Sequence, residues 1–184
     1  MSSRRSNVSR LVIAAAAAMF TISLAAPAAS AAPAADGHPV AGTAGHGLCL
    51  DLSSSEVQRG LRAIGPPLGR SDLRWVPRNG PMVRSTDRTP NCPPLMWATF
   101  DTSGGTVSSP TAVLLFRPGK YLGVTNRPTG YTKVSEFTPF SVTVAYRWPQ
   151  RNDANANPTG GPVSSFFFQV FDRVYRFGDL PPGV

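Results

Sequence analysis

One helical segment followed only by short strands is the feature that most constrains how this chain folds. Val57, Leu61 and Ile64 form an apolar stripe at helical spacing, which predicts a helix over residues 54–64. A Gly-Pro-Pro sequence ends it. No helical pattern lies between the later strands, so neighbouring strands are expected to pair antiparallel. We therefore predict an α+β fold, an antiparallel sheet with this one N-terminal helix packed on a face. A β-sandwich with an appended helix is the alternative.

The start of the helix has the pattern of a capped N-terminus. Ser53 and Glu56 stand three residues apart, as in a capping box, where each side chain accepts a hydrogen bond from the other residue's backbone amide. Leu52 and Val57 occupy the two positions of a hydrophobic staple. The sequence thus predicts a side-chain cap at Ser53.

Alternating and apolar runs after the helix predict the strands. They are expected at residues 73–76, 95–101, 111–116, 121–124, 140–148, 163–171 and 174–177. A Pro-Gly pair at 118–119 predicts a type II turn between the third and fourth strands. The segment 163–171 contains the consecutive phenylalanines Phe166–Phe168 and is predicted to be buried on both faces. Residues 149–162 are predicted to form a polar loop rich in Asn, Pro and Gly.

The first 31 residues have the pattern of a secretory signal peptide. Three arginines precede an uncharged apolar run over 11–26, and the small residues at 29–31 suit a signal peptidase. A membrane-spanning helix needs about 20 apolar residues, and Pro27 interrupts the run before that length is reached. We predict that residues 1–31 are removed on export, by the general secretory route in preference to the twin-arginine route.

The rest of the chain is predicted to form a linker and one domain. Residues 32–47 are rich in Ala, Gly and Pro, and we expect them to be a flexible linker. Residues 48–184 are long enough to bury a core of their own. They are predicted to form a single α+β domain.

The only two cysteines, Cys49 and Cys92, both lie in the part that is expected to be exported. An even number of cysteines in an oxidising compartment favours a disulfide between them. Such a bridge stabilises by about 4 kcal/mol in the chain-entropy model. Lipid modification of Cys49 is one alternative, but this cysteine lies well past the apolar run. Zinc held by His38, His46 and both cysteines is another, although no C-x-x-C pair is present.

The charge of the chain bears on its partners. The formal net charge is +8, and nearly all of the basic residues are arginines. Seven arginines lie within residues 59–88 with acids between them, which is typical of a solvated surface. Attraction to an anionic polymer or to a membrane surface is the functional alternative. Nucleic acid is not expected as a partner, because no run of basic residues with interleaved aromatics is present.

The sequence offers little that resembles a catalytic site. The only histidines, His38 and His46, precede the strand-rich part, and no G-x-S-x-G pattern is present, which disfavours a hydrolase triad. The carboxylates of Asp101 and Glu136 are the one pair that a small secreted hydrolase could use. We expect no catalytic residue, no cofactor and no metal site.

Two further patterns have functional alternatives. Asp153 begins a polar loop that echoes a calcium loop, but its sixth position is Pro158 in place of glycine, so an ordinary loop is expected. Trp75, Trp97 and Trp148 could line an apolar groove. Aromatic side chains on strands more often fill a core, and we expect the same here.

Five segments carry a family resemblance. They are NCPPLMW at 91–97, SSPTAVLLF at 108–116, GKYLG at 119–123, YRW at 146–148 and NANPTGG at 155–161. These segments resemble the LppP/LprE lipoprotein family of actinobacteria, and the likeness extends over roughly residues 48–178. The resemblance implies a cell-envelope protein, and it brings no catalytic residues with it.

One departure from the family affects the expected location. The family name implies a lipid-modified cysteine directly after the apolar run, whereas residues 29–35 contain none. We therefore expect an exported protein, secreted or associated with the envelope, without a lipid anchor. Our leading hypothesis is a non-enzymatic binding module for an unidentified envelope component.

Overall fold

The computed structural model describes residues 42–78 and 87–184. Within them, one α-helix is followed by a short 3-10 turn at Pro67–Gly69 and then by eight strands. Helix α1 spans Ser55–Ile64, and the strands are β1 Trp75–Pro77, β2 Met96–Thr102, β3 Thr111–Arg117, β4 Lys120–Val124, β5 Thr132–Phe137, β6 Ser141–Trp148, β7 Gly160–Val170 and β8 Arg173–Gly178. The predicted signal peptide lies outside the described residues.

The strands form two antiparallel sheets of four strands each. Sheet 1 has the order β1-β2-β3-β4, and sheet 2 has the order β5-β6-β7-β8. The prediction of one helix with antiparallel strands is confirmed, and the β-sandwich alternative describes the stacking of the sheets. The prediction of a single sheet is wrong. Sheet 1 is apolar on both faces, so it needs a second cover besides the helix.

Alternate residues of β2 and β3 separate into two cores. Met96, Phe100 and Leu114 pack with Val57 of helix α1 on one face of sheet 1. Other residues of β2 and β3 pack against sheet 2 on the opposite face, and this second core contains Leu95, Trp97, Val113, Leu115, Val134, Val142, Val144, Tyr146 and Phe167. The domain therefore has three layers, in the order helix, sheet 1, sheet 2.

The helix begins at Ser55, one residue after the predicted start, with Ser54 as its N-cap and no side-chain cap hydrogen bond, so the predicted capping box at Ser53 is absent. The backbone amide of Ser53 donates to Asp51 Oδ1 at 2.8 Å, so Asp51 takes the place predicted for Glu56. The Glu56 carboxylate turns to sheet 1, where it accepts from the backbone amide of Tyr121 at 2.6 Å. The capping prediction is wrong because a contact distant in sequence outcompetes the local one. The predicted staple residues Leu52 and Val57 both pack in the helix-side core.

Helix α1 lies very close to β4. A Cβ atom added to Gly60 would stand 2.9 Å from the Tyr121 ring and 3.1 Å from Leu114 Cδ1. Glycine in a helix interior costs about 1 kcal/mol relative to alanine. The presence of glycine at position 60 is therefore explained by the close packing of the Tyr121 ring against the helix.

The disulfide and the segment before the helix secure the N-terminal side of the domain. Cys49 and Cys92 are joined, with their Cα atoms 5.4 Å apart. Residues 42–47 belong to the segment predicted as a linker, yet Thr43 is buried and its hydroxyl accepts from the backbone amide of Gly119 at 2.8 Å. This end of the segment is therefore part of the fold. Residues 32–41 lie outside the described part of the chain.

Strand β7 is not buried on both faces, contrary to the prediction. Phe167 points into the core and is 3% exposed, whereas Phe166 points outward and is 42% exposed. The outer face of sheet 2 has no covering layer in the described residues, so alternate side chains of β7 and β8 meet solvent. Burial on both faces would require a layer that the sequence pattern cannot specify.

Candidate functional site

A cavity of about 850 Å³ is the best candidate for a functional site. Its lining comes from both sheets and from the loops at 105–109 and 156–158. Volumes of about 300–1,000 Å³ are typical of small-molecule sites. The cavity therefore has room for a small organic ligand.

A hydrogen-bonded group centred on Arg78 forms one wall. Arg78 follows β1, and its guanidinium holds the Asp101 carboxylate of β2 with two bonds, of which Nε to Oδ2 measures 2.8 Å. The Thr111 hydroxyl donates to Asp101 Oδ1 at 2.9 Å. Arg78 Nη1 also donates to the Thr132 carbonyl of β5 at 3.3 Å. This wall therefore joins sheet 1 to sheet 2, and both carboxylate oxygens of Asp101 are already engaged.

Two further cations on the cavity lining have no acidic partner within the described residues. Lys133 of β5 lies opposite Ala145 of β6, and Arg147 follows two residues along the same strand, so all three face the same side. Arg147 Nη1 reaches the Pro158 carbonyl at 3.5 Å, a long contact. Since Arg78 and Asp101 balance each other, Lys133 and Arg147 leave the lining with an excess of two positive charges.

The rest of the lining combines apolar surface with hydroxyl groups. Val107, Pro162 and Tyr131 are among its apolar or aromatic members, and threonine and serine residues make up much of the remainder. The Tyr131 hydroxyl donates to the Asn155 carbonyl at 2.6 Å, which ties the long loop between β6 and β7 to the cavity rim. A ligand that fits this lining would combine an anionic group with an apolar body.

The same loop is held by its own acid. Asp153 Oδ2 accepts from the backbone amides of Gln150 and Thr159, both at 2.7 Å. These two hydrogen bonds hold the pKa of the Asp153 carboxyl below its ordinary value. The loop whose sequence resembles a calcium-binding loop is thus held closed by backbone amides that donate to Asp153.

The two carboxylates of the hydrolase hypothesis are not brought together at one site. Asp101 lies on the cavity lining, where Arg78 and Thr111 occupy its oxygens. Glu136 is exposed on sheet 2, opposite Thr143 of β6, and it does not line the cavity. The separate environments give this pair no shared reaction centre.

The residues of the zinc alternative are engaged elsewhere. Both cysteines are in the disulfide, and His46 Nδ1 contacts Asp51 Oδ2 at 2.8 Å on the surface. His38 lies outside the described residues. In residues 42–78 and 87–184, no three His, Cys, Asp or Glu side chains come together as metal ligands would.

The tryptophans do not form a groove. Trp97 is fully buried, and Trp75 Nε1 donates to the Gly65 carbonyl at 2.7 Å while its ring packs in the helix-side core. A Cβ on Gly160 would stand 2.4 Å from Trp148 Nε1, so that indole lies directly against the β7 backbone. The expectation that the tryptophans pack in a core is confirmed for Trp75 and Trp97, whereas Trp148 is partly buried.

Lys133 and Arg147 could not be recognised as neighbours from the sequence, because strand β5 was not predicted. The segment Thr132–Phe137 reads TKVSEF, in which Val134 and Phe137 are the only apolar residues. Its pairing with β6 also contains an irregularity between Val134 and Glu136. The available sequence signal was that Lys133 is a lysine in a chain whose basic residues are nearly all arginines. Its position beside β6 follows only from the pairing register of the two strands.

Comparison with known proteins supports the family resemblance. The family model described as LppP/LprE lipoprotein matches residues 87–169, a segment that includes most strands of both sheets. The resemblance is confirmed over this segment, which is shorter than the span suggested by the sequence. No curated protein and no solved structure gives a match. In the described part of the chain, no helix is long and apolar enough to cross a membrane.

Proposed function

We propose that this protein, whose residues 87–169 match the LppP/LprE lipoprotein family model, is an exported, non-enzymatic module of the cell envelope that binds an organic anion in the cavity. The ligand class is an anion with a carboxylate, sulfonate or phosphate group and an apolar body of small-molecule size. The observation that carries the proposal is the pair of unneutralised cations, Lys133 and Arg147, on an otherwise largely apolar lining.

The division of roles in the cavity supports binding as its activity. Arg78 and Asp101 stabilise the wall, because their charged groups are directed at each other and at Thr111 and Thr132. Lys133 and Arg147 are exposed and therefore free to meet an anionic group from solvent. A charged hydrogen bond to an anion is worth about 1.5–3 kcal/mol when it forms. Two such contacts with apolar packing would give selective binding without a reaction.

The arginine-rich segment is a weaker candidate for the anion site. Arg59 pairs with Glu56, Arg70 with Asp72, and Arg78 with Asp101. Local acids thus neutralise much of the positive charge that the composition suggested. The cavity concentrates charge that remains uncompensated, which favours it over a spread surface.

A titration monitored by NMR tests the proposal. The probe is naphthalene-2-sulfonate, an organic anion with a flat apolar body. Backbone amide signals of β5, of β6 and of residues 156–158 are expected to shift. The variant Lys133→Gln/Arg147→Gln should bind the probe at least about tenfold more weakly, which corresponds to 1.4 kcal/mol.

A matched variant controls for net charge. Arg62→Gln/Arg74→Gln removes the same two charges from exposed positions that do not line the cavity. It should bind the probe as the unchanged protein does. Equal weakening in both variants, or shifts confined to another surface, would refute the cavity as the binding site.

A further inference from the structure

A second surface, separate from the cavity, is aromatic and exposed. Phe166 and Phe168 of β7 lie opposite Phe177 and Tyr175 of β8, and all four point away from the core. Their rings stack nearly parallel, with Phe168 at 5.9 Å from Phe166, 5.6 Å from Tyr175 and 5.5 Å from Phe177. Phe177 remains 61% exposed. We call these four residues the aromatic ridge.

The hairpin tip beside the ridge carries a more unusual residue. Phe171 is the first residue of the two-residue turn between β7 and β8, and it has a φ of 53°. Such turns favour Gly, Asn or Asp at positive φ, and a bulky side chain there is an outlier. Phe171 is 91% exposed, so its ring gains almost nothing from folding. A strained and exposed phenylalanine makes this tip a candidate for a contact outside the folded domain.

The tip is held in place by hydrogen bonds and an ion pair. The Gln169 side-chain amide donates to the Phe171 carbonyl at 2.7 Å. Asp172, the other turn residue, pairs with Arg117 at the end of β3 at 3.1 Å. Phe140, also exposed, lies next to the tip, because its carbonyl accepts from the Gln169 backbone amide at 3.0 Å. Apolar groups are thus presented at one end of the sandwich on a fixed support.

Ring geometry and charge decide between possible occupants. Binding of sugars on aromatic side chains uses open ring faces, but in the ridge the Phe168 ring is stacked against Phe166, Tyr175 and Phe177. Strands β7 and β8 contain no acidic residue. On β8, Arg173 shares the ridge face with Tyr175 and Phe177, whereas Arg176 lies on the opposite face with Phe167 and donates to the Gly178 carbonyl. An anionic surface with an apolar interior satisfies the rings and Arg173 at once.

We infer that the aromatic ridge and the tip of the β7–β8 hairpin dock on an anionic lipid surface. Phe171 enters the boundary between headgroups and acyl chains, and Phe140 accompanies it. Arg173 stays at the level of the headgroups, where it meets their negative charge. This inference does not depend on the cavity, since none of these residues lines it.

Fluorescence of a tryptophan placed at the tip tests the inference. In the full chain, Phe171→Trp is compared with the unchanged protein on vesicles of phosphatidylglycerol and dibrominated phosphatidylcholine in equal parts. The added emission should move to shorter wavelength and fall at least about twofold, since insertion of about 5–10 Å brings the ring among the brominated chains. The response should weaken strongly on vesicles of dibrominated phosphatidylcholine alone.

Leu68→Trp is the matched control, because quenching at this position would reveal contact with the vesicles that does not depend on the aromatic ridge or the hairpin tip. Leu68 also has positive φ, 55°, and is 67% exposed, but it follows helix α1 on the other side of sheet 1. Its added emission should not change on the same vesicles. Equal quenching at both positions, or none at position 171, overturns the inference.

Two further readouts separate a lipid from a second copy of the chain. Phe166→Ser/Phe177→Ser should weaken binding to the anionic vesicles at least about tenfold, since each exposed ring loses the apolar transfer that burial would bring. Sedimentation without vesicles should show the unchanged protein as a monomer. A stable dimer that the same double substitution dissociates would assign the ridge to self-association and overturn docking on lipid.

Discussion

At the scale of single residues, Glu56 links the helix to sheet 1. Its carboxylate accepts from the Tyr121 backbone amide and pairs with Arg59. The hydrogen bond from Arg59 is the main reason that the pKa of Glu56 lies below its ordinary value, with the Tyr121 amide adding to it. One side chain therefore supports both the local ion pair and the contact between layers.

The lowered pKa of Glu56 predicts an acid-dependent loss of stability. A carboxyl whose pKa is lower in the folded state stabilises the protein above its unfolded pKa of about 4.3, and this contribution disappears as the pH falls through the folded pKa. Glu56→Gln should therefore reduce stability at neutral pH and flatten its decline between about pH 5 and pH 3. Urea denaturation at several pH values measures both effects.

The control for this experiment is Asp72→Asn. The pKa of Asp72 is also lowered, mainly by Arg70, but both side chains are exposed, and surface pairs contribute little. The Asp72 variant should follow the unchanged protein at every pH. If Glu56→Gln does the same, the carboxylate has no role in holding the helix on sheet 1.

The buried phenol of Tyr146 predicts a loss of stability as the pH rises into the alkaline range. Burial raises the pKa of its phenol to about 12, because the charged form would lose its hydration. An unfolded tyrosine has a pKa of about 10, so this contribution is complete below pH 10 and is lost as the pH rises toward the folded value. Titration of tyrosinate absorbance should show a tyrosine with a pKa of about 12 in the unchanged protein that is missing in Tyr146→Phe. Complete titration near pH 10 in the folded protein would contradict the buried position.

At the scale of elements, the contact between helix α1 and β4 depends on the absence of a side chain at Gly60. Gly60→Ala gains about 1 kcal/mol of helix propensity. The added methyl group meets the Tyr121 ring, and overpacking of this kind costs about 1–3 kcal/mol. We expect a net destabilisation of up to about 2 kcal/mol in urea denaturation.

A double-mutant cycle identifies the ring as the cause. In a Tyr121→Leu background, Gly60→Ala should cost clearly less, since the nearest atoms have been removed. If the cost is the same in both backgrounds, the close approach to Tyr121 is not what requires glycine.

Elements also show what can and cannot be predicted from the sequence. Strand β6 was predicted correctly because Val142, Val144 and Tyr146 are buried while Arg147 is exposed, so period two is visible. Strand β5 was missed because its pattern is weak. The segment around Phe167 was predicted as a strand, but the exposure of Phe166 depends on a missing layer that no local pattern reports.

At the scale of the whole molecule, the candidate site could not have been predicted. Its charged residues are Arg78, which follows β1, and residues of β2, β5 and β6, so the lining draws on both sheets. Asp101 was singled out from the sequence, but its pairing with Arg78 spans 23 positions and assigns it a structural role. Local patterns predict elements well, whereas a cavity depends on how distant elements are registered and packed.

The disulfide predicts a global effect on stability. Cys49 and Cys92 join the segment before helix α1 to the segment before β2, across a sequence separation of 43. Cys49→Ala/Cys92→Ala should lower the free energy of unfolding by about 2–5 kcal/mol, mainly by releasing a constraint on the unfolded chain. Urea denaturation with and without reductant should give the same loss for the unchanged protein. A difference below about 1 kcal/mol would contradict a stabilising bridge.

The central claim is that Lys133 and Arg147 bind an organic anion in the cavity, and the salt dependence of its dissociation constant tests this most directly. For naphthalene-2-sulfonate, the dissociation constant of the unchanged protein should rise as salt increases from about 0.1 M to about 1 M, because screening shortens from about 10 Å to about 3 Å. The Lys133→Gln/Arg147→Gln variant should show weak binding that salt barely changes. An unchanged protein whose affinity does not depend on salt, or a variant that keeps the full dependence, would contradict the claim.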